Sequence, residues 1–440
     1  MKRFFILVSM VALVAAGCTK TIIKNEVETP ISFSTESGKL TRAIVDGTTL
    51  YEDQPFGVYA FANQAITENQ ATTYTTTEFM PNVEITKQDL YTSQGVAGQD
   101  QVLDTWRSAT GSYYWPNDPR TTINFYAYSP YIGTNAASVK NHQTMTVTGL
   151  DQVDDNPSTQ DNERKLSFTA YEHSNMYVDF MVATPVMGAT FGDPNGDDNY
   201  ADADGKVPMV FHHQMTQIIF TVKTNAAYSG VNFAVESITL KNIKDKANFT
   251  HTYASNYGEW GDHAKVSGVF KIFPEDETQY GEQTNSSDYD YDFDANLKSG
   301  ETNYNAIDAT GKIITNQVVL TTVPVTMIPQ TMVQTTSQPV AGTDTYASEA
   351  NAQVFEIVYT VAGTGVAKEK VVKHVPFYAV DAATAALPWG VNQKITYNVV
   401  IGLNEITFEP SVAVWDATDE KNNNDPNDDE PYGDDFEFAQ

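Results

Sequence analysis

The chain has 440 residues, of which 41% are hydrophobic and 12% aromatic, a composition that supports packed cores and excludes a wholly disordered protein. Its 56 acidic and 26 basic residues give a formal charge of −30, which argues against binding to a nucleic-acid backbone because such binding needs clustered Lys and Arg. Cys18 is the only cysteine, so no disulfide can form within the chain.

The first 17 residues predict a bacterial lipoprotein signal. Lys2 and Arg3 precede an apolar run over residues 4–16, which is shorter than the roughly 20 apolar residues of a membrane-spanning helix. Small residues lead into Cys18, as in a lipobox, which predicts cleavage before Cys18 and lipid attachment to it. The alternative is an ordinary signal peptide. Several acyl chains on Cys18 would give a stable membrane anchor, since one chain alone binds only marginally.

The rest of the chain predicts an all-β fold. Apolar and polar residues alternate in runs that are rich in β-branched and aromatic residues and are bounded by Gly, Pro, Asn or Asp, and no window shows a sustained helical period. Such short, frequent strands are typical of antiparallel sandwiches or barrels. The runs are ISFST (31–35), FGVYAFA (56–62), INFYAYS (123–129), YVDFMVA (177–183), QIIFTVKT (217–224), ESITLKNI (236–243), QVFEIVYTVAG (353–363) and KITYNVVIGL (394–403).

Composition shifts suggest where the chain divides. An acidic, turn-rich stretch over residues 188–205 predicts a linker between an N-terminal domain (43–205) and a C-terminal domain (206–415). Residues 275–312 are polar and predict a long insertion. Residues 416–440 carry ten acidic residues and one lysine, and cannot bury enough apolar surface to order themselves.

Motifs for catalysis or for a cofactor are poor. The GTGVAK stretch at 363–368 lies between two strands, which predicts a hairpin turn and not a phosphate loop. His212 and His213 are adjacent in a strand and therefore point to opposite faces, so we expect one to be packed and the other exposed, without a shared metal. No nucleophile elbow of the Gly-x-Ser-x-Gly type occurs. We therefore predict neither an enzyme nor a cofactor.

One acidic stretch offers oxygen ligands for calcium. Asp193, Asn195 and Asp197 alternate, but Asp198 and Asp204 stand where a calcium loop of the EF-hand type needs Gly and a bidentate Glu. We favour a solvated linker here over a calcium site, and predict no bound metal.

The ISFST run suggests a removable strand. Alternation places Ile31, Phe33 and Thr35 on the inward face, and Arg42 followed by Ala43 lies in or just past the next loop. If a protease cut after Arg42, the segment from residue 18 to 42 would be held by one strand alone. Its loss would leave an apolar groove with unpaired backbone groups, to which another strand could add. The alternative for Arg42 is an ordinary exposed arginine.

The ordered motifs resemble the fimbrillin family of Bacteroidales, the FimA- and Mfa-type subunits of type V pili. The likeness spans nearly the whole chain after the signal. The motifs are the lipobox at Cys18, ISFST with LTRA at 40–43, FGVYAFA at 56–62, YYWPNDPRTTINFYAYSPY at 113–131, YVDFMVATP at 177–185, VPMVFHHQMTQIIFTVKT at 207–224 and ITYNVVIGLNEITFEPSVAVWD at 395–416.

The resemblance implies two tandem transthyretin-like β-sandwich domains with antiparallel sheets of the Greek-key type. It implies a lipoprotein precursor that reaches the cell outer membrane through the lipid on Cys18 and then joins a surface fimbrium. An arginine-type protease would cut between Arg42 and Ala43, which makes residues 18–42 a propeptide with Ile31, Phe33 and Thr35 on the displaced strand. A donor strand from another pilus subunit would then replace it.

The donor strand has two candidate locations. Ile406, Phe408, Val412 and Val414 alternate well enough to fill a groove, but they also fit the subunit's own last strands. In the acidic tail only Phe436 and Phe438 look suited to insertion. Stalk, anchor and tip roles all stay open.

The leading hypothesis is therefore a structural or adhesive subunit of type V fimbriae that acts by strand exchange. The alternative is a surface lipoprotein that does not polymerise and binds glycans or host proteins. Loop tyrosines would serve that alternative by stacking on a ligand, namely Tyr280, Tyr289, Tyr291 and Tyr304.

Overall fold

The computed structural model describes only part of the chain, and all regular structure in that part is β-sheet. The described residues are 29–35, 54–68, 71–92, 101–133, 144–152, 164–173, 176–192, 206–225, 231–252, 255–274, 312–315, 317–333, 352–363, 366–377, 388–402 and 406–415. None of them lies in a helix that is long and apolar enough to cross a membrane. The prediction of an all-β fold with antiparallel sheets is confirmed.

The described residues form 23 strands. In chain order they are β1 (Ser32–Thr35), β2 (Phe56–Glu68), β3 (Ala71–Thr92), β4 (Gln101–Ser108), β5 (Thr121–Ser129), β6 (Thr144–Gln152), β7 (Arg164–Glu172), β8 (Met181–Ala183), β9 (Val186–Ala189), β10 (Lys206–Met209), β11 (Phe211–His213), β12 (Thr216–Thr224), β13 (Val231–Lys241), β14 (Lys246–Thr252), β15 (Glu259–Ala264), β16 (Val269–Phe273), β17 (Lys312–Ile314), β18 (Leu320–Thr321), β19 (Val325–Met327), β20 (Val354–Gly363), β21 (Val366–Pro376), β22 (Gln393–Ile401) and β23 (Ile406–Val414).

The largest sheet has nine strands in the order β10-β1-β4-β3-β2-β5-β8-β11, with β9 also paired to β5. Its two end strands, β10 and β11, are separated in the chain by Val210 alone, so the sheet must curl until its ends meet. The side chains on the inner face form one apolar cluster, which includes Ile31, Phe33, Phe56 and Phe125. The first strand therefore lies within the sheet and contributes to its core.

A four-stranded sheet in the order β15-β14-β7-β6 packs on the outer face of this large sheet. Aromatic rings fill the interface, with Phe168 of β7 edge-on to Tyr128 of β5 at 5.0 Å between ring centroids. Phe249 of β14 joins the same cluster. Edge-to-face contacts of this kind add to the free energy gained by burial alone.

Two five-stranded sheets enclose a separate core. Their orders are β18-β12-β22-β23, with β19 beside β12, and β16-β13-β20-β21, with β17 beside β13. Alternate residues of β12 and β22 face those of β13 and β20, and the largest contacts include Phe220 with Phe355 at 5.2 Å between ring centroids. This pair of sheets has the layered form of a β-sandwich.

The sheets do not separate cleanly along the chain at residue 205. Strands β10 and β11 complete the nine-stranded sheet, and β14 pairs antiparallel with β7. The domain boundaries and the tandem transthyretin-like arrangement stay predictions.

One predicted strand is shorter than expected. Of the YVDFMVA run, only Met181–Ala183 forms a strand. The backbone amide of Thr326 in β19 donates to the carbonyl oxygen of Met176 at 2.7 Å, and its hydroxyl lies 3.1 and 2.8 Å from the carbonyl oxygens of Met176 and Val178. Residues 176–178 therefore bond to a single residue of that strand and form no ladder with it. The predicted hairpin at 363–368 is confirmed, since Gly363 pairs with Val366 across β20 and β21.

Two buried histidines make the fold sensitive to acid. Burial lowers the pKa of His173 and of His251 from 6.5 to about 4, although each ring Nε2 donates a hydrogen bond to a backbone carbonyl. Below pH 6.5 the unfolded chain therefore binds protons that the folded chain does not, and folding loses stability as the pH falls toward 4.

We expect this loss to reach about 3 kcal/mol for His173, from 1.36 kcal/mol per unit of pKa difference. Urea unfolding at pH 7 and at pH 4.5 measures it, with His173→Gln as the matched variant. The change in stability between the two pH values should be smaller in the variant than in the wild type. An equal change in both proteins would contradict the assignment.

Candidate functional site at the first strand

The first strand fills a position between two other strands, which we call the first-strand slot. β1 pairs in parallel with β10, where Phe33 lies opposite Val207, and antiparallel with β4, where Phe33 lies opposite Trp106. The slot is therefore bounded by the backbone edges of β10 and β4. Emptying it would leave both edges unpaired.

The inward side chains of this strand are part of the core. Ile31 is 4% exposed and Phe33 is 1% exposed, and the strand's last residue, Thr35, is half-buried. The ring of Phe33 packs edge-on against Phe56 and Phe125, with centroids 5.8 and 5.7 Å apart. Such burial stabilises the chain by about 1.5–3 kcal/mol for each large apolar side chain.

Backbone hydrogen bonds fix the chain just before β1. The amide of Ile31 donates to the carbonyl oxygen of Tyr113 at 2.7 Å, and the amide of Trp115 donates to the carbonyl oxygen of Thr29 at 3.1 Å. The Trp115 indole packs edge-on against Phe125 at 6.0 Å. These contacts hold residues 29–35 in the sheet.

The outward face of the slot carries two cations that the sequence did not reveal. Ser32 lies opposite Lys206 of β10. One antiparallel step from the Phe33–Trp106 pair places Ser32 opposite Arg107 of β4. Nε of Arg107 is buried without a hydrogen-bond partner in the described part of the chain, and burial lowers the pKa of this guanidinium. Only long-range pairing brings these residues together, so no local pattern could have found them.

The predicted processing and lipid sites lie outside the described residues. These are Cys18, Arg42 and Ala43. Arg42 follows Thr35, the last described residue of β1, by seven positions. Lipidation at Cys18 and cleavage after Arg42 stay predictions.

The first group of donor candidates lies in β23. This strand pairs antiparallel with β22 at the edge of its sheet. Ile406 and Phe408 are partly buried against the core, and the ring of Phe408 is 5.5 Å from that of Phe355. Val412 and Val414 are 44% and 59% exposed. The strand thus belongs to its own subunit in this structure, while its second half extends beyond the core.

The exposure of Val412 predicts that it contributes little to the fold. We expect Val412→Ser to change the free energy of unfolding by less than about 0.5 kcal/mol, as is usual at exposed positions. Ile406→Ser, the matched variant in the same strand, should cost more because Ile406 packs against the core. Urea unfolding measures both, and an equal loss in the two variants would contradict this division of β23.

Both histidines of the adjacent pair are buried, so the expectation that one is exposed is wrong. His212 is 9% exposed because Tyr257 and Thr184 cover it. His213 is fully buried. Its ring pairs with Asp179 at 2.5 Å and stacks on the Trp415 indole, with 3.8 Å between the ring centroids. The pair does lie on two faces of β11, as the alternation of a strand requires.

The other candidate ligand sites of the sequence lie outside the described residues. They are the acidic stretch with Asp193, Asn195 and Asp197, and the loop tyrosines Tyr280, Tyr289, Tyr291 and Tyr304. Within the described ranges, no group of three or more His, Cys, Asp or Glu residues is arranged to hold a metal ion.

A cavity of about 570 Å³ opens beside the chain segment that precedes β1. Its lining includes Thr29, Trp115, Asn117, Asp118 and the 59% exposed Phe191. Its lining thus combines aromatic and polar side chains, and the cavity is widely open to solvent.

Comparison with known proteins places the chain in a family. A family model described as fimbrillin-like matches residues 41–415. No curated protein matches the chain.

Solved structures give distant likenesses. A crystal structure of a fimbrial protein from Bacteroides vulgatus ATCC 8482 is 17% identical, with 82% of this chain and 92% of that chain covered and a TM-score of 0.44. The tip fimbrial protein Mfa3 from Porphyromonas gingivalis, with a C-terminal truncation, is 11% identical, with 88% and 100% covered and a TM-score of 0.31. Because these identities and TM-scores are low, the assignment of the chain to the family rests on the family-model match alone.

Proposed function

The chain belongs to the fimbrillin-like family, and from that premise we propose that it is a structural or adhesive subunit of cell-surface type V fimbriae. The family is one of fimbrial subunits and not of enzymes, and it implies a cell-surface location and contact with other pilus subunits. The proposal adds a mechanism, in which proteolysis removes the first strand and a strand from another subunit replaces it.

The observation that carries the proposal is the position of β1. The strand is only four residues long, yet Ile31 and Phe33 lie deep in the core, and β10 and β4 each pair with it along one edge. Removing it would expose apolar surface and unsatisfied backbone groups at once, and both are costly in water. An extended segment with large alternate side chains satisfies both needs, which is the basis of strand addition.

The route to assembly follows from the N-terminal sequence. The precursor would be anchored in the outer membrane through lipid on Cys18. Cleavage between Arg42 and Ala43 would then detach residues 18–42, including β1, from both the lipid and the subunit. One cut would thus release the subunit from the membrane and open the slot, without any cofactor.

Digestion of the purified full chain with an arginine-specific protease tests the proposal. We expect one cut near residue 42, followed by a ladder of oligomers on SDS gels, since inserted strands resist mild denaturation. The ladder should depend on protein concentration. A processed chain that remains monomeric at every concentration would contradict assembly by strand exchange.

A second candidate function is ligand binding without polymerisation, and the cavity beside Trp115 favours it. A sugar ring could stack on Phe191 and form hydrogen bonds with the side-chain amide of Asn117. Binding of the uncut chain to a glycan array, lost in Phe191→Ala, would support this function. An array without any bound glycan would count against it.

A further inference from the structure

The C-terminal half of the described chain is basic, in contrast to the chain as a whole. Its described residues between 206 and 415 carry 12 lysines and seven acidic residues, although the formal charge of the full chain is −30. One of the seven, Asp245, is 3% exposed and accepts hydrogen bonds from the backbone amides of residues 266–268. The surface of this half therefore attracts acidic segments.

The basic residues are most concentrated in β21, a strand at the edge of its sheet. Its 11 residues include Lys368, Lys370, Lys373 and His374, against Glu369 as the one acidic residue. Within the described part of the chain, β21 pairs with β20 alone, so no strand lies beside its other edge there. We call this the free edge of β21. An exposed edge of this kind is a template for a further strand.

The face of β21 toward the core favours apolar side chains on an added strand. Val371 and Val375 are half-buried on this face and pack against the core cluster. Lys373 lies between them, because side chains of a strand alternate between its faces. A neighbouring strand could therefore cover both valines with large apolar residues and bring a carboxylate to the lysine.

The outer face of β21 favours acidic side chains. Lys370 pairs there with Glu236 at 2.6 Å. His374 shares Glu356 with Lys241, at 2.6 and 2.5 Å between the paired atoms. Two carboxylates thus serve three basic groups, and a further carboxylate on an added strand would gain charge-assisted hydrogen bonds.

We propose that residues 434–438 of the acidic tail add as a strand to the free edge of β21 in the same subunit. Alternation would place Phe436 and Phe438 over the half-buried valines, and Asp435 and Glu437 beside the cations of the outer face. This pairing requires neither proteolysis nor a second subunit, so it is independent of the proposed function.

The sequence of the tail supports this choice of segment. Phe436 and Phe438 are the only phenylalanines in residues 416–440, and carboxylates alternate with them. Asp434 shares their face and would meet Lys373. Charge disfavours the other obvious occupant, β21 of a second copy, because the three lysines of one strand would then approach those of the other.

The tail begins close enough to reach this edge. The ring of Phe408 in β23 lies 5.5 Å from that of Phe355 in β20, so β23 and β21 border the same side of the sandwich. Trp415 follows β23 directly, and the chain from there to Asp434 spans up to about 60 Å when extended, whereas β21 is about 36 Å long. A tethered segment acts at an effective concentration on the order of millimolar, which favours the subunit's own tail over that of a second copy.

Hydrogen–deuterium exchange of the uncut full chain tests this pairing, by comparison with a chain that ends at residue 430. We expect the β21 amides that face the free edge to exchange at least about tenfold faster in the shortened chain, because they lose their hydrogen-bond partners. Amides of β13, inside the same sheet, should exchange equally in both chains and report an intact sandwich.

Matched variants separate the apolar and the charged contributions. The double variant Phe436→Ser with Phe438→Ser should exchange at β21 as fast as the shortened chain, because it loses two large apolar contacts. Glu437→Lys should also raise the exchange rate of β21, and added salt should reduce its difference from the wild type. Lys370→Gln should raise the rate, whereas Lys223→Gln, in β12 of the other sheet, should not.

The concentration dependence of exchange identifies the occupant. Protection of β21 at every protein concentration, in a monomeric chain, supports the subunit's own tail. Protection that appears only at high concentration, together with dimers, would show that the tail of a second copy is bound and would overturn the pairing within one subunit. Equal exchange of β21 with and without the tail would overturn the tail as the occupant. Either of these results leaves the proposed function standing, because the ladders formed after arginine-specific digestion do not depend on β21.

Discussion

Substitution of Arg42 by glutamine is expected to abolish processing and assembly together. An arginine-specific protease needs an extended backbone that is free of strand pairing. Arg107 and Arg164 lie in paired strands, and Arg120 lies in a turn where Asp118 accepts hydrogen bonds from both its backbone amide and its guanidinium. We therefore propose Arg42 as the residue that is cut. The Arg42→Gln chain should therefore keep residues 18–42 and stay monomeric on SDS gels after digestion, while the wild-type chain forms a ladder.

Arg120→Gln is the matched control for this experiment. Arg120 is exposed and forms an ion pair with Asp118 at 2.8 Å, just before β5. A surface pair of this kind contributes little to stability, so its loss should leave folding and assembly unchanged. Normal ladders from Arg42→Gln, or loss of the ladder in Arg120→Gln alone, would contradict cleavage at Arg42 as the trigger.

Substitution of Phe33 by alanine is expected to destabilise the uncut chain by about 3–5 kcal/mol, the usual cost of removing a fully buried phenyl ring. Phe33 is 1% exposed and lies against two other rings, so the cavity left behind cannot easily be filled. Urea unfolding of the uncut protein measures the loss. Phe191→Ala, at a position that is 59% exposed, is the matched control and should change stability by less than about 0.5 kcal/mol.

The same variant has a second, opposite consequence. Once β1 has been removed, residue 33 is no longer part of the subunit, so filaments assembled from Phe33→Ala should resist heat as well as wild-type filaments do. Release of the strand should also be faster, because the variant loses contacts that hold it in the slot. A Phe33→Ala filament that melts well below the wild type would mean that the first strand remains in the assembled subunit.

The parts of the fold that could be predicted are those with strong local alternation. FGVYAFA and INFYAYS became the core strands β2 and β5 because both of their faces are buried between packed sheets. β3 was missed, since its 22 residues are rich in threonine and interrupted by Pro81, which gives no clear apolar face. The burial of both His212 and His213 was missed, because Tyr257, which covers His212, lies 45 positions later in the chain.

The candidate site shows the same division between local and long-range information. The inward residues Ile31 and Phe33 follow from alternation within five residues. The strands that β1 pairs with do not follow from alternation, because β10 lies more than 170 residues and β4 about 70 residues further along the chain. Such pairings depend on the closure of the whole sheet, and the cations at Arg107 and Lys206 become neighbours only through it.

The most direct measurement is the N-terminal residue of subunits in filaments sheared from the cell surface. An opening strand that is lost on maturation predicts Ala43 as the first residue, with neither lipid nor residues 18–42 present. Subunits within a filament that still begin at a lipid-modified Cys18 and retain Ile31–Thr35 would contradict replacement of the first strand.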